Sequence, residues 1–144
     1  MSCFPSCFPE NFEKDILPFN AHYEDKNVYR IMKKGYIDRD GFISTFEEIK
    51  RGMIPPKNKL NDLDNPSLYG TSCEEDLSRL SYVLKILSGH HPAAIIAKGT
   101  IHSSCGPWQI TSERTGGSST HVDWWVYDDS LPQEYFMEIE DNET

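Results

Sequence analysis

Leu77, Leu80, Leu84 and Leu87 recur at spacings of 3, 4 and 3, and Val83 and Ile86 widen the same stripe. That period lays one apolar face along a helix. Ser72 and Glu75 precede it as S-x-x-E, the pattern of a capping box, while Gly89 and Pro92 close it. The C-terminal third is strand-like. PAAIIAKGTI (92–101) is an apolar run, GPWQIT a short second segment, and HVDWWVYD (121–128) and EYFMEIE (134–140) complete the chain. SLPQ reads as a turn and TSERTGGSS as a flexible polar loop. Upstream, VYRIM (28–32) reads as a strand that sets Arg30 on the face opposite Tyr29 and Ile31. STFEEIKRG (44–52) repeats the capping signature at Ser44 and Glu47 and stops at Gly52, so it is a second helix. Residues 53–67 form a long polar loop, and SLYGTS (67–72) a strand ending at a turn. Two helices followed by a run of strands predict an α+β fold with a mostly antiparallel sheet.

The chain has 144 residues, enough for one domain with its own core. Its formal charge of -9 argues against a protein that tracks nucleic-acid phosphates with a basic stripe, and against docking on anionic lipid. No stretch reaches the roughly 20 apolar residues of a membrane helix. The N-terminus lacks the basic start and apolar run of a signal peptide, so a cytoplasmic protein is expected. Cys3, Cys7, Cys73 and Cys105 are too few and too scattered for a disulfide framework. SCFPSCFPE repeats Ser-Cys-Phe-Pro, and residues 1–18 read as an extended, proline-rich packing arm.

Three patterns carry ligand-binding residue types. Asp38, Asp40, Gly41, Ile43 and Glu47 match positions 3, 5, 6, 8 and 12 of an EF-hand loop, but Tyr36 stands at the first ligand position. A tight turn followed by a helix cap explains the same letters, so no metal is expected. His102 and Cys105 have ligand-like spacing, with His90, His91, Cys73 and His121 elsewhere, yet four ligands do not come together in sequence. Cys105 or Cys73 beside a histidine is also a candidate nucleophile. In HVDWWVYDD, Val122, Trp124 and Val126 share one strand face. His121, Asp123, Trp125 and Tyr127 share the other, a composition suited to a ligand pocket or a protein interface.

Three further pieces occur in order along the chain: Tyr29-Arg30 on an early strand, Gly70-Thr71-Ser72 at a strand end, and a late glutamate. The last is either Glu134 before Tyr135-Phe136 or the E-x-E of Glu138-Ile139-Glu140. This order resembles the R-S-E class of mono-ADP-ribosyltransferases. The resemblance implies NAD as co-substrate and a macromolecular target. It implies that Arg30, with Tyr29 and Thr71, contacts the NAD, that Ser72 supports the site, and that Glu134 or Glu138 stabilises an oxocarbenium-like transition state. Arginine suits bidentate phosphate contacts, and a carboxylate suits charge developing on the ribose. The triplet is Gly-Thr-Ser rather than the family's usual hydroxyl-rich one, and the E-x-E lies at the end of its strand. The chain also looks like the small proteins of bacterial and phage genomes. The alternative is a small acidic binding or inhibitor protein that masks a basic partner surface without catalysis.

Overall fold

The computed structural model describes residues 2–56 and 59–140. A six-stranded antiparallel sheet runs in the order β4-β5-β2-β1-β3-β6. Its strands are β1 (Lys26–Met32), β2 (Thr71–Glu74), β3 (Ile95–Ile101), β4 (Trp108–Ile110), β5 (His121–Trp124) and β6 (Phe136–Glu138). The helices are α1 (Thr45–Lys50), α2 (Leu77–Leu87) and the short α3 (Ser112–Thr115). The fold is therefore α+β, with α3 inside the segment expected to be a flexible loop. No helix among the described residues is long and apolar enough to cross a membrane.

One face of the sheet carries the main core. Val28, Met32, Cys73, Ala97, Ile101, Val122 and Trp124 are buried there with Phe42 and Phe136. A second core holds Phe8, Phe12, Ile16, Leu17, Phe46, Leu68, Tyr69 and Trp125. The N-terminal segment builds much of it and is not extended. Pro5 and Pro9 each begin a turn, closed by Phe8 N–H to the Pro5 carbonyl and Phe12 N–H to the Pro9 carbonyl. A π-helical turn, Phe12–Ile16, comes next. The Ser-Cys-Phe-Pro repeat thus returns a phenylalanine to the core at each turn. Phe8 meets Phe12, Phe46 and Tyr69 at ring distances of 4.8, 6.0 and 5.0 Å. Burial of such a ring contributes roughly 1.5–3 kcal/mol, which outweighs the extended preference of isolated proline segments.

The first capping box forms as expected. Ser44 Oγ accepts from Glu47 N–H at 3.1 Å, and Ser44 N–H donates to Glu47 Oε1 at 3.0 Å. Gly52 closes the segment with φ +74°. The second box does not form. Thr71–Glu74 pair along their whole length with β5, which draws Ser72 into the sheet. Asp76 caps α2 instead, its carboxylate accepting from the N–H and hydroxyl of Ser78, and Glu75 pairs with Lys26. The leucine stripe of α2 lies against β1, β2 and β3. It is only half-buried, and Tyr82, Val83 and Ile86 remain exposed. SLYGTS is also not one strand: Pro66–Tyr69 form a 3-10 turn whose cap is Asn65.

Gly106 has φ +119°, and a Cβ there would run into the Trp125 carbonyl oxygen. Gly106→Ala is expected to lower unfolding stability by at least about 1–3 kcal/mol from the backbone conformation alone. Ser44→Ala should cost about 1 kcal/mol. Urea denaturation of both variants checks this, and a wild-type midpoint in either would contradict its prediction.

Candidate functional site

β1 pairs with β3 from Lys26↔Ile101 to Met32↔Ile95, but with β2 it is matched only at Tyr29↔Glu74. Beyond that pair β1 and β2 diverge. A cavity of ≈ 440 Å³ opens beside the gap, between the two strands, the 36–53 segment and α2. Arg30 spans the divergence. Its Nε donates to the Gly41 carbonyl at 2.8 Å and its Nη1 to the Ser72 carbonyl at 2.6 Å. These are two of the guanidinium's five N–H groups. Nη2 makes no hydrogen bond among the described residues, and Arg30 lines the cavity. Burial lowers its pKa, opposed by the nearby Cys73 and Glu48, and arginine stays charged regardless.

The expected site residues divide into two groups. Arg30 and Ser72 line the cavity together. Tyr29 lies at the strand contact itself, opposite Glu74 and Lys98. Thr71 is buried and donates its hydroxyl to the Phe42 carbonyl at 2.9 Å, so it fastens β2 to the 39–42 turn. Glu134 lies in a 3-10 turn, Pro132–Tyr135, and is exposed. Glu138 is exposed on β6, in register with Ala97 and, through it, with Arg30 two strands away. At the usual strand spacing that separation is roughly 10 Å. Neither Glu134 nor Glu138 is among the residues lining the cavity.

Four other carboxylates do line it: Asp38, Asp40, Glu48 and Glu74. Asp38 accepts from Gly41 N–H at 3.0 Å, and Asp40 pairs with Arg51 at 3.0 Å. Glu74 accepts from Asp76 N–H at 2.9 Å and faces Arg79 at 3.6 Å. Glu48 has no side-chain hydrogen bond or ion pair among the described residues, and its charge acts on Arg30. The EF-hand letters are therefore caps and an ion pair around a turn. Among the described residues no three His, Cys, Asp or Glu side chains cluster as a metal site requires.

Sequence reasoning did not anticipate the polar network beside the cavity. Asp123 is buried on β5, and its Oδ2 takes three donors: Arg114 Nη2 at 2.7 Å, Thr111 Oγ1 at 2.9 Å and Ser67 Oγ at 3.0 Å. Arg114 also donates to Gln109 Oε1 at 2.6 Å and lies over the Trp125 ring. Gln109 in turn donates to Asn20. His121, two residues from Asp123, contacts Thr111 Oγ1 through Nδ1 at 2.6 Å and lines the cavity. The alternation of HVDWW placed His121 and Asp123 on one face. Nothing in the sequence linked them to Arg114 in the glycine-bearing loop.

The remaining candidates are placed elsewhere. His102 accepts from Ser104 N–H, stacks on Tyr135 at 4.5 Å and caps a 3-10 turn that ends at Cys105. Burial pushes the Cys73 thiol up to about 12, so it is no ready nucleophile. No protein-family model matches the chain, and no curated protein or solved structure matches it significantly.

Asp123→Ala leaves the half-buried Arg114 without its carboxylate partner and should reduce stability by about 3–5 kcal/mol, measured by chemical denaturation. Iodoacetamide at pH 8 should label exposed Cys3 and Cys7 in the native protein, and buried Cys73 and Cys105 only in denaturant, as mass mapping would show.

Proposed function

We propose that the cavity binds NAD and that the protein transfers ADP-ribose to a macromolecular target. The observation that carries this reading is the meeting of Arg30 and Ser72 in the wall of one cavity, where β1 and β2 part. The Nη2 group of Arg30, without a hydrogen bond among the described residues, is suited to a phosphate oxygen of the dinucleotide. The apolar wall of Ile31, Leu80, Val83 and Leu87 suits an aromatic base. The transition state for loss of nicotinamide carries positive charge on the ribose, so a carboxylate must face it. This reading assigns that role to Glu48, the cavity carboxylate whose side chain has no hydrogen bond or ion pair among the described residues, and leaves Glu134 and Glu138 outside it.

A second reading is favoured by the outer face of α2. Tyr82 and Ile86 are 67% and 61% exposed there. Such a face on a chain of charge -9 suits a binding protein that covers a basic, partly apolar partner surface.

Nicotinamide release from NAD separates the two. Glu48→Gln should reduce release by about a hundredfold or more. Arg30→Lys should weaken NAD binding roughly tenfold or more, measured by calorimetry. Glu134→Ala and Glu138→Ala should match the wild type. Loss of release in Glu138→Ala with full activity in Glu48→Gln would reverse the assignment. Absence of both binding and release in the wild type would leave the α2 reading.

A further inference from the structure

His121 shares the cavity with Arg30, Ser72 and Glu48, and its hydrogen bonding fixes which nitrogen is left for a ligand. Thr111 Oγ1 lies 2.9 Å from Asp123 Oδ2 and 2.6 Å from His121 Nδ1. A threonine hydroxyl has one hydrogen. A hydroxyl oxygen that close to a carboxylate oxygen must donate to it, because two bare oxygens would repel. The lone pairs of Oγ1 are then left for His121, so Nδ1 carries the ring proton of neutral imidazole and donates it to Thr111. Nε2 becomes the acceptor, and it makes no hydrogen bond among the described residues.

The support beneath this relay is buried and hydrogen-bonded from several sides. Arg114 and Ser67 hold the same Asp123 oxygen at 2.7 and 3.0 Å, and Asp123 is 1% exposed. Thr111 N–H also donates to the His121 carbonyl at 2.9 Å, which fixes the backbone across which the side chains meet. The His121 side chain is 37% exposed, enough to pass a proton on to water. Among the described residues the charged groups set against His121 are Asp123 on its own strand and Glu74 opposite it on β2, paired in turn with Arg114 on α3 and Arg79 on α2. A histidine held in one tautomer by an intermediate hydroxyl and a buried carboxylate follows the logic by which acid–base sites aim a proton acceptor.

We propose that His121 is the proton acceptor of the cavity, with Thr111 and Asp123 as the positioning residues that keep Nε2 unprotonated and directed at the ligand. The assignment rests on the NAD reading of the cavity. There the bond between ribose C1′ and the nicotinamide nitrogen breaks, and its electron pair leaves with neutral nicotinamide. A hydroxyl oxygen, of water or of the target, bonds to C1′ and gives its proton to His121 Nε2. The resulting imidazolium then loses that proton to solvent. Water as acceptor yields ADP-ribose, nicotinamide and one proton from NAD and water, so atoms and charge balance.

The test uses the full chain with NAD in buffer, water serving as acceptor. Nicotinamide release and NAD binding are measured for the wild type, His121→Gln, Thr111→Val and Thr111→Ser, with thermal unfolding to confirm that each is folded. Long-range proton–nitrogen NMR reads the imidazole tautomer. The expected result is an Nδ1–H tautomer for His121 in the wild type, lost in Thr111→Val and regained in Thr111→Ser. Release should fall about 10²- to 10⁴-fold in His121→Gln with NAD affinity unchanged. It should fall in Thr111→Val with the tautomer and recover in Thr111→Ser. Full release by folded His121→Gln, or an Nε2–H tautomer in the wild type, would overturn the role of His121 and leave the NAD reading standing. A wild type that neither binds NAD nor releases nicotinamide would overturn both, and the silent wild type distinguishes that failure from the first.

Discussion

The contacts of Arg30 with two backbone carbonyls join three pieces of this molecule: β1, the 39–42 turn and β2. β1 and β2 share one matched pair, Tyr29 and Glu74. Beyond that pair Arg30 reaches β2 by donating to Ser72, and it holds the 39–42 turn by donating to Gly41. A charged donor makes each bond stronger than a neutral one, on the order of 1.5–3 kcal/mol. Arg30 thus bridges the strands where their matched pairing ends, and the cavity opens at that place. Thr71 adds to the same clamp from the other side by donating to Phe42. The same side chain bridges β1 and β2 and lines the cavity.

The second constraint lies on β5. Asp123 is buried where a carboxylate is costly without partners, and three donors meet one of its oxygens. Those donors come from the Pro66–Tyr69 turn and from the segment at and just before α3. The network ties those pieces to the sheet, and through Thr111 it reaches His121 at the cavity. Arg30 and His121 therefore enter the same space from different supports. One is bound to the diverging strands and the other to a buried ion pair.

Much of the fold was legible in the residues, and the exceptions have physical causes. The Ser44–Glu47 box was readable because both halves of a cap lie within one turn of chain. The identical letters at Ser72 and Glu75 misled, since β5 competes for the same backbone and a full ladder outweighs one cap. The leucine stripe announced α2 correctly in position, but not its half-exposed state, because α2 overhangs a cavity rather than a packed layer. Phe4 and Phe8 looked like parts of an extended arm. Their aromatic partners, Tyr69 and Tyr127 among them, are far away in sequence.

By itself the sequence determined the α+β class, the placement of Arg30 opposite Tyr29 and Ile31, the first helix cap and the shared face of His121 and Asp123. These are set by local periodicity and by hydrogen bonds a few residues long. Tertiary structure alone decided that Arg30 and Ser72 meet, that Glu48 and Glu74 rather than Glu134 and Glu138 face the cavity, and that Arg114 and Thr111 converge on Asp123. Each of these depends on strand order and register, which arise from how two cores pack and not from any single stretch of chain.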